Sequence, residues 1–288
     1  MRIDFTKMHG LGNDFIVFDA PPGGPPTIAA LRRLAERRSG IGFDQALVLE
    51  PPRQAGSSLS YRIFNADGSE VEQCGNGARC IAALWHRRGR ARSGEPIVMD
   101  SAGGPVRARV LAPELVSVEM GVPSFDPRAL PFDAPGNAPD SSDADEAQLY
   151  ELEAAGDTVR IGIVSIGNPH AVLTVSSVDA APVERLGPAM ERHPRFPNRV
   201  NVGFLEILDR GRVRLRVYER GVGETLACGT GACAAVAFAR RRGLLDPQVA
   251  VRARGGELRV NWDGAGHPVW LTGPAEFAFE GRVEIGGA

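Results

Sequence analysis

A chain of 288 residues exceeds the ~100 to 150 of a typical single domain and accommodates two medium domains. With 43% hydrophobic and 24% charged residues and a formal net charge of −2, it has no basic tract to suggest nucleic acid. The opening Met1-Arg2-Ile3-Asp4-Phe5-Thr6-Lys7 lacks the apolar core of a signal peptide, and no apolar run approaches the ~20 residues that span a bilayer. A cytoplasmic protein with a small polar substrate, and without membrane or nucleic-acid partners, is expected.

In chain order, apolar alternation predicts strands near 2–7, 14–20, 45–50, 59–65, 97–101, 105–111 and 115–120. The same signal recurs near 158–166, 170–175, 201–208, 212–219, 248–254, 257–262 and 276–280. Four helices are predicted: one capped by Thr27 and running through Ser39 before Gly40, then 76–88, 182–192 and 230–242. Between the halves, Pro131 to Asp157 crowds Pro, Gly, Ser and Asp around Ala134 to Asp145 and reads as a solvated inter-domain connection.

An internal repeat organises these elements. A shift of 154 positions lays residues 62–89 onto 216–243 without a gap, with 10 of 28 positions identical. A one-residue change of offset then places Gly12-Asn13 on Gly167-Asn168. Each half carries one Cys-Gly-x-Gly-Ala, at Cys74 and Cys228, so a pseudo-two-fold with one cysteine facing the other is implied.

Both blocks stand where a strand-and-loop gives way to an apolar-periodic helix. The unpaired N–H groups and positive dipole end there favour an anion, which predicts a lowered thiol pKa and donors for a substrate carboxylate. Cys80 and Cys233 lie inside the helices and read as buried packing. The cysteine spacings do not suit zinc, and no metal is expected. Gly229 to Ala234 loosely fits a dinucleotide fingerprint, but no strand runs directly into it. Two facing thiols serve the removal of a proton from one face of a stereocentre and delivery of another to the opposite face. The thiolate would need a dry site, which suggests domain closure around substrate.

Met8-His9-Gly10-Leu11-Gly12-Asn13-Asp14-Phe15, Gly42-Phe43-Asp44-Gln45, Phe64-Asn65-Ala66-Asp67-Gly68-Ser69-Glu70 and Cys74-Gly75-Asn76-Gly77-Ala78-Arg79-Cys80 form one ordered set of blocks. Gly167-Asn168-Pro169-His170, Tyr218-Glu219-Arg220-Gly221 and Ala227-Cys228-Gly229-Thr230-Gly231-Ala232-Cys233 continue it. The set resembles the signature of the diaminopimelate epimerase family over about residues 3 to 280.

That resemblance implies an α+β fold of two strand-rich domains, each a barrel-like sheet around a central helix, with the active site between them. The domains would be 1–123 plus 274–288, holding Cys74, and 124–273, holding Cys228. It also implies cofactor-independent interconversion of LL- and meso-diaminopimelate, for lysine and peptidoglycan precursors, with Cys74 and Cys228 as acid and base. Asn13, Gln45, Asn65, Asn168, Asn201, Glu219 and Arg220 would bind substrate, with backbone donors at Gly75-Asn76 and Gly229-Thr230. These types suit a substrate that is zwitterionic at both ends. By the same resemblance His170 and Glu219 would tune the thiols, and Trp270 would mark the interface of a homodimer. A proline or hydroxyproline racemase shares the two-cysteine plan but has no use for Arg220 and so many asparagines. A thiol–disulfide redox protein would pair Cys74 with Cys228, yet the chain lacks Cys-x-x-Cys.

Overall fold

The computed structural model describes residues 2–71, 74–134 and 148–285. The chain divides into two compact units, Met1–Glu119 with Thr272–Ala288, and Met120–Leu271.

The first unit runs β1 (Arg2–Gly10), β2 (Asn13–Asp19), α1 (Ile28–Ala35), β3 (Gln45–Glu50), β4 (Leu59–Asn65), β5 (Glu70–Val71), α2 (Gly75–Arg87), β6 (Pro96–Ser101), β7 (Gly104–Ala112) and β8 (Leu115–Glu119). Neighbours β1–β2, β3–β4, β6–β7 and β7–β8 are antiparallel hairpins, and β5 turns back onto β4. Two pairings are parallel, β2–β3 and β4–β6. Parallel neighbours need a crossover, and the two crossovers are where α1 and α2 lie. Alternation along the strands then sorts the helices to opposite faces. Leu31 and Leu34 of α1 pack with Ile16, Phe18, Ala46 and Val48, whereas Leu47 faces Gly77 at the start of α2.

Helix α2 touches β1 and β2 as well as β7 and β8, strands from both ends of the pairing order, so the sheet curls around it. Every residue from Asn76 to Leu84 is buried, Arg79 completely. A helix buried on all sides is a core element rather than a surface one.

The second unit repeats the plan: β9 (Tyr150–Ala154), β10 (Asp157–Ser165), β11 (Pro169–Thr174), α3 (Val183–Glu191), β12 (Asn201–Asp209), β13 (Arg212–Glu219), β14 (Gly223–Thr225), α4 (Gly229–Arg241), β15 (Gln248–Ala253) and β16 (Gly256–Asn261). Its parallel pairs, β11–β12 and β13–β15, again enclose the two helices, and β14 folds back on β13 as β5 does on β4. Residues Ala232 to Ala239 of α4 are at most 1% exposed. Two strands close the chain, β17 (Trp270–Pro274) and β18 (Glu276–Glu284), and β18 pairs antiparallel with β1. Among the described residues no helix is long and apolar enough to cross a membrane.

All fourteen predicted strands and four predicted helices are present, and three differences stand out. Helix α1 ends at Ala35, not Ser39, because Glu36 turns extended and lets Arg37 reach Asp14 and Asp44. The stretch 131–157 is not all connection: Tyr150, Leu152 and Ala154 bury one face of β9, and Tyr150 meets Phe132 edge-on. The centre of that predicted loop, 135–147, lies outside the described residues. The short β5 and β14 and the five-residue β17 carry too little alternation to read.

Enclosure of α4 depends on Gly162 in β10, where an added Cβ would lie 2.0 Å from the Phe238 ring. Gly162→Ala should therefore destabilise the protein by about 1–3 kcal/mol, read as a lowered melting temperature. A variant as stable as the parent would contradict this packing.

Candidate active site

Each cysteine is the N-cap of its unit's central helix. Cys74 (φ −148°, ψ 109°) and Cys228 (φ −122°, ψ 115°) hold extended backbone, and their carbonyls accept from Ala78 and Ala232. Each sulfur takes the place of a capping oxygen, accepting the N–H of Gly77 or Gly231 at 3.4 Å. A side chain would be crowded there. A Cβ on Gly231 would stand 3.0 Å from Val217 and 3.3 Å from the Cys228 sulfur, and one on Gly77 3.1 Å from Leu47. The helix start leaves the N–H groups of Gly75, Asn76, Gly229 and Thr230 without intrahelical acceptors, a ready anion site.

Around Cys74 the structure gathers carboxamides. The Cys74 thiol donates to Asn13 Oδ1 at 3.9 Å, and Asn76 Nδ2 donates to the same oxygen at 3.3 Å. The amide of Asn13 is oriented from behind, since its Nδ2 donates to Asp44 at 2.9 Å. Asp44 and Asp14 exchange backbone-to-carboxylate bonds across β2 and β3, and Lys7 and Arg37 neutralise the pair. The two basic partners hold the Asp14 carboxyl well below its ordinary range despite burial, which acts in the opposite direction. Arg79 Nη2 donates to Asn76 Oδ1 at 2.8 Å. Gln45 donates to Asn65 at 2.9 Å, and its own buried Oε1 has no hydrogen-bond partner.

Around Cys228 the environment is charged on one side and hydroxylic on the other. Burial, followed by the charge of Glu219, pushes the thiol above its ordinary range, against the weaker pull of Thr230 and the Gly231 N–H. The lowered pKa expected from a helix N-terminus therefore does not hold for Cys228, because one backbone donor cannot offset removal from water beside a carboxylate. Glu219, raised by burial itself, is held by the Thr225 hydroxyl at 2.5 Å and by the thiol. On the other side Thr230 Oγ1 lies 3.5 Å from the sulfur and accepts Asn168 Nδ2 at 3.4 Å. His170, 1% exposed, meets Asn168 Oδ1 at 3.0 Å. Burial and, secondarily, Arg220 take its imidazole down to about 3, so it is neutral near pH 7.

Asn201 stands beside His170 in the β11–β12 register and accepts the Arg220 N–H at 3.0 Å. The Arg220 side chain is exposed and donates to the Asn198 carbonyl. The first unit thus joins Asn13 and Asn76 to Cys74 and pairs Gln45 with Asn65 across β3 and β4, and the second links Thr230, Asn168 and His170 in a chain to Cys228, with Glu219 on the thiol and Asn201 between His170 and the Arg220 N–H. Trp270 is half-buried on β17, apart from both groups in sequence. Sequence reasoning passed over Asp14, Asp44, Arg79 and Thr225. All four sit inside or beside the quoted blocks: Asp14 and Asp44 are charges next to the predicted ligands Asn13 and Gln45, and Arg79 and Thr225 stand three residues from Asn76 and Cys228.

The fold is shared with a hydroxyproline epimerase from Agrobacterium vitis, at a TM-score of 0.64 and 19% identity over 98% of this chain and 92% of that one. Both units therefore have the diaminopimelate epimerase type of architecture. The sequence profile of the diaminopimelate epimerase family matches residues 5–125 and 162–278, so each half is recognised separately. Diaminopimelate epimerases from Laribacter hongkongensis and Azoarcus sp. are 52% and 53% identical, covering 99% of this chain and 100% of their own. The chain belongs to the diaminopimelate epimerase family.

Glu219→Gln removes the anion that raises Cys228 and leaves burial in place, so thiolate should form at lower pH. Alkylation of Cys228, followed by peptide mass, should switch on roughly one pH unit lower than in the parent. An unchanged or higher midpoint would contradict the role of the carboxylate.

Proposed function

We propose that this protein interconverts LL- and meso-diaminopimelate by direct proton transfer at one α-carbon, with Cys74 and Cys228 as its acid and base. The observation that carries the reading is the matched pair of cysteine N-caps, each with its sulfur on a helix's first N–H groups, in a chain of this family. One sulfur takes the α-proton while the other thiol delivers its own to the opposite face. The charge left behind spreads onto the α-carboxylate, which the N–H groups of Gly75, Asn76, Gly229 and Thr230 are suited to receive. The raised pKa of Cys228 makes its thiolate a stronger base once formed, at the cost of forming it less readily.

The flanking groups fit a doubly zwitterionic substrate. Gln45 offers a buried acceptor without a partner, suited to an ammonium. Asn13, Asn65, Asn168 and Asn201 supply further carboxamides, and Arg220 and Glu219 form a pair for the distal carboxylate and ammonium. A pyridoxal-type electron sink is disfavoured on the chain's own composition. Its one lysine, Lys7, is 8% exposed, ion-paired with Asp14 and bonded to the Gly42 carbonyl, so no amine stands ready for a Schiff base.

We assign residues 1–123 with 274–288 and residues 124–273 as the two epimerase domains. A cytoplasmic homodimer with Trp270 at its interface, supplying lysine and peptidoglycan precursors, completes the proposal. A proline-type racemase has the fold likeness in its favour but leaves Arg220 and so many asparagines without work.

Incubation of the purified, reduced protein with LL-diaminopimelate and separation of the stereoisomers should give the meso form. Cys74→Ala and Cys228→Ala should each lose inversion by at least about a thousandfold, since each removes an obligatory half of the transfer. An unchanged isomer ratio with the parent, or near-normal inversion in either variant, would refute the proposal.

A further inference from the structure

The hydroxylic side of Cys228 is a continuous chain of hydrogen bonds. His170 is buried and neutral, so its imidazole carries a single ring proton. With that proton on Nε2 it donates to Asn168 Oδ1 at 3.0 Å. The carboxamide oxygen is then committed to the histidine, and the amide's Nδ2 is turned to Thr230 Oγ1 at 3.4 Å. Having accepted that bond, the Thr230 hydroxyl directs its own hydrogen along the remaining contact, 3.5 Å to the Cys228 sulfur. A residue three bonds away thereby fixes what the sulfur sees.

We propose that Thr230 acts through its side chain as a hydrogen-bond donor to the Cys228 sulfur, and that His170 is a positioning residue which orients this donor through Asn168 and takes no proton itself. The inference deepens the two-thiol reading and rests on it for its catalytic consequence, but the chain of contacts itself stands on the geometry alone. Two contacts oppose one another at the sulfur. Glu219, approaching from β13 and braced by Thr225, disfavours the thiolate, and the threonine hydroxyl together with the Gly231 N–H favours it. Arg220 is the other charged group here, and its charge disfavours protonation of His170. Because the hydroxyl belongs to the helix that Cys228 caps, donor and sulfur keep their spacing.

The opposite polarity is chemically complete. With the proton on His170 Nδ1 and the Asn168 amide turned over, Thr230 would donate to Asn168 and accept from the Cys228 thiol. Substitution separates the two directions. Thr230→Val keeps the shape and removes the hydroxyl; if the hydroxyl donates to sulfur, the pH midpoint for alkylation of Cys228 should rise by about one unit. Thr230→Ser, which keeps the donor, should restore the parent midpoint. His170→Gln can still donate to Asn168 and should stay near the parent, whereas His170→Leu should shift in the same direction as Thr230→Val by a smaller amount. The acid limb of kcat/KM for LL-diaminopimelate should move in parallel with the alkylation midpoints. A midpoint that falls or stays put in Thr230→Val would overturn the proposal, as would a Thr230→Ser variant that behaves like valine. Alkylation needs no turnover, so a protein inactive on diaminopimelate but showing these shifts would sink the substrate reading and leave the hydrogen-bond chain standing.

Discussion

A sulfur atom at the start of a buried helix, held by the N–H of a glycine three residues on, is the constraint from which the rest of each unit follows. The contact is 3.4 Å in both units and leaves no room for a Cβ at Gly231 without pressing on Val217 and the sulfur. A helix N-terminus can polarise a substrate carboxylate well only where water is scarce, because its partial charges are otherwise screened. Burial of α2 and α4 on every side is thus part of the chemistry as much as of the stability. A sheet that curls round a helix supplies this burial, and its two parallel pairings follow from the crossovers that carry the helices.

The repeat is symmetric in backbone and asymmetric in charge. Asn65 and Glu219 occupy equivalent places, as do Asn76 and Thr230, so where the second unit sets a carboxylate and a hydroxyl against its sulfur the first has neutral carboxamides, and the Cys74 sulfur meets the amide oxygen of Asn13. Cys228 is consequently held as a thiol at rest and becomes a strong base if it is deprotonated. Two chemically unequal thiols suit a reaction in which one group must hold a proton while the other lacks it. They would be less well served by a strict duplicate of either half.

Much of this was legible in the chain. The gapless repeat and the paired Cys-Gly-x-Gly-Ala blocks located both helix starts to within one residue, and period-two alternation located every long strand. What escaped has physical causes. Strand β9 is flanked by acidic and small residues that dilute its alternation, and β5 and β14 owe their pairing to β4 and β13 rather than to their own residues. Helix α1 stops early because the ion pairs of Arg37 outweigh the continued helical propensity of 36–39. The pKa of Cys228 could not be read from position at a helix start. It depends on Glu219, nine residues upstream, and on burial that only the closed sheet creates. The roles of Asp14 and Asp44 were hidden for a similar reason, since their mutual bonds join β2 to the residue just before β3, thirty residues on.

Proton traffic in heavy water reaches the two-thiol mechanism most directly. A single base that both removes and returns the proton would carry substrate protium into product. In the proposed mechanism two monoprotic thiols cannot do so, because the one that accepts the substrate proton would be on the wrong face to deliver it, and the donor would already have exchanged with solvent. With protiated LL-diaminopimelate and the reaction stopped early, meso product should carry deuterium at the inverted carbon while remaining substrate stays protiated. Substantial protium at that carbon in early product would contradict the assignment of Cys74 and Cys228 as separate acid and base.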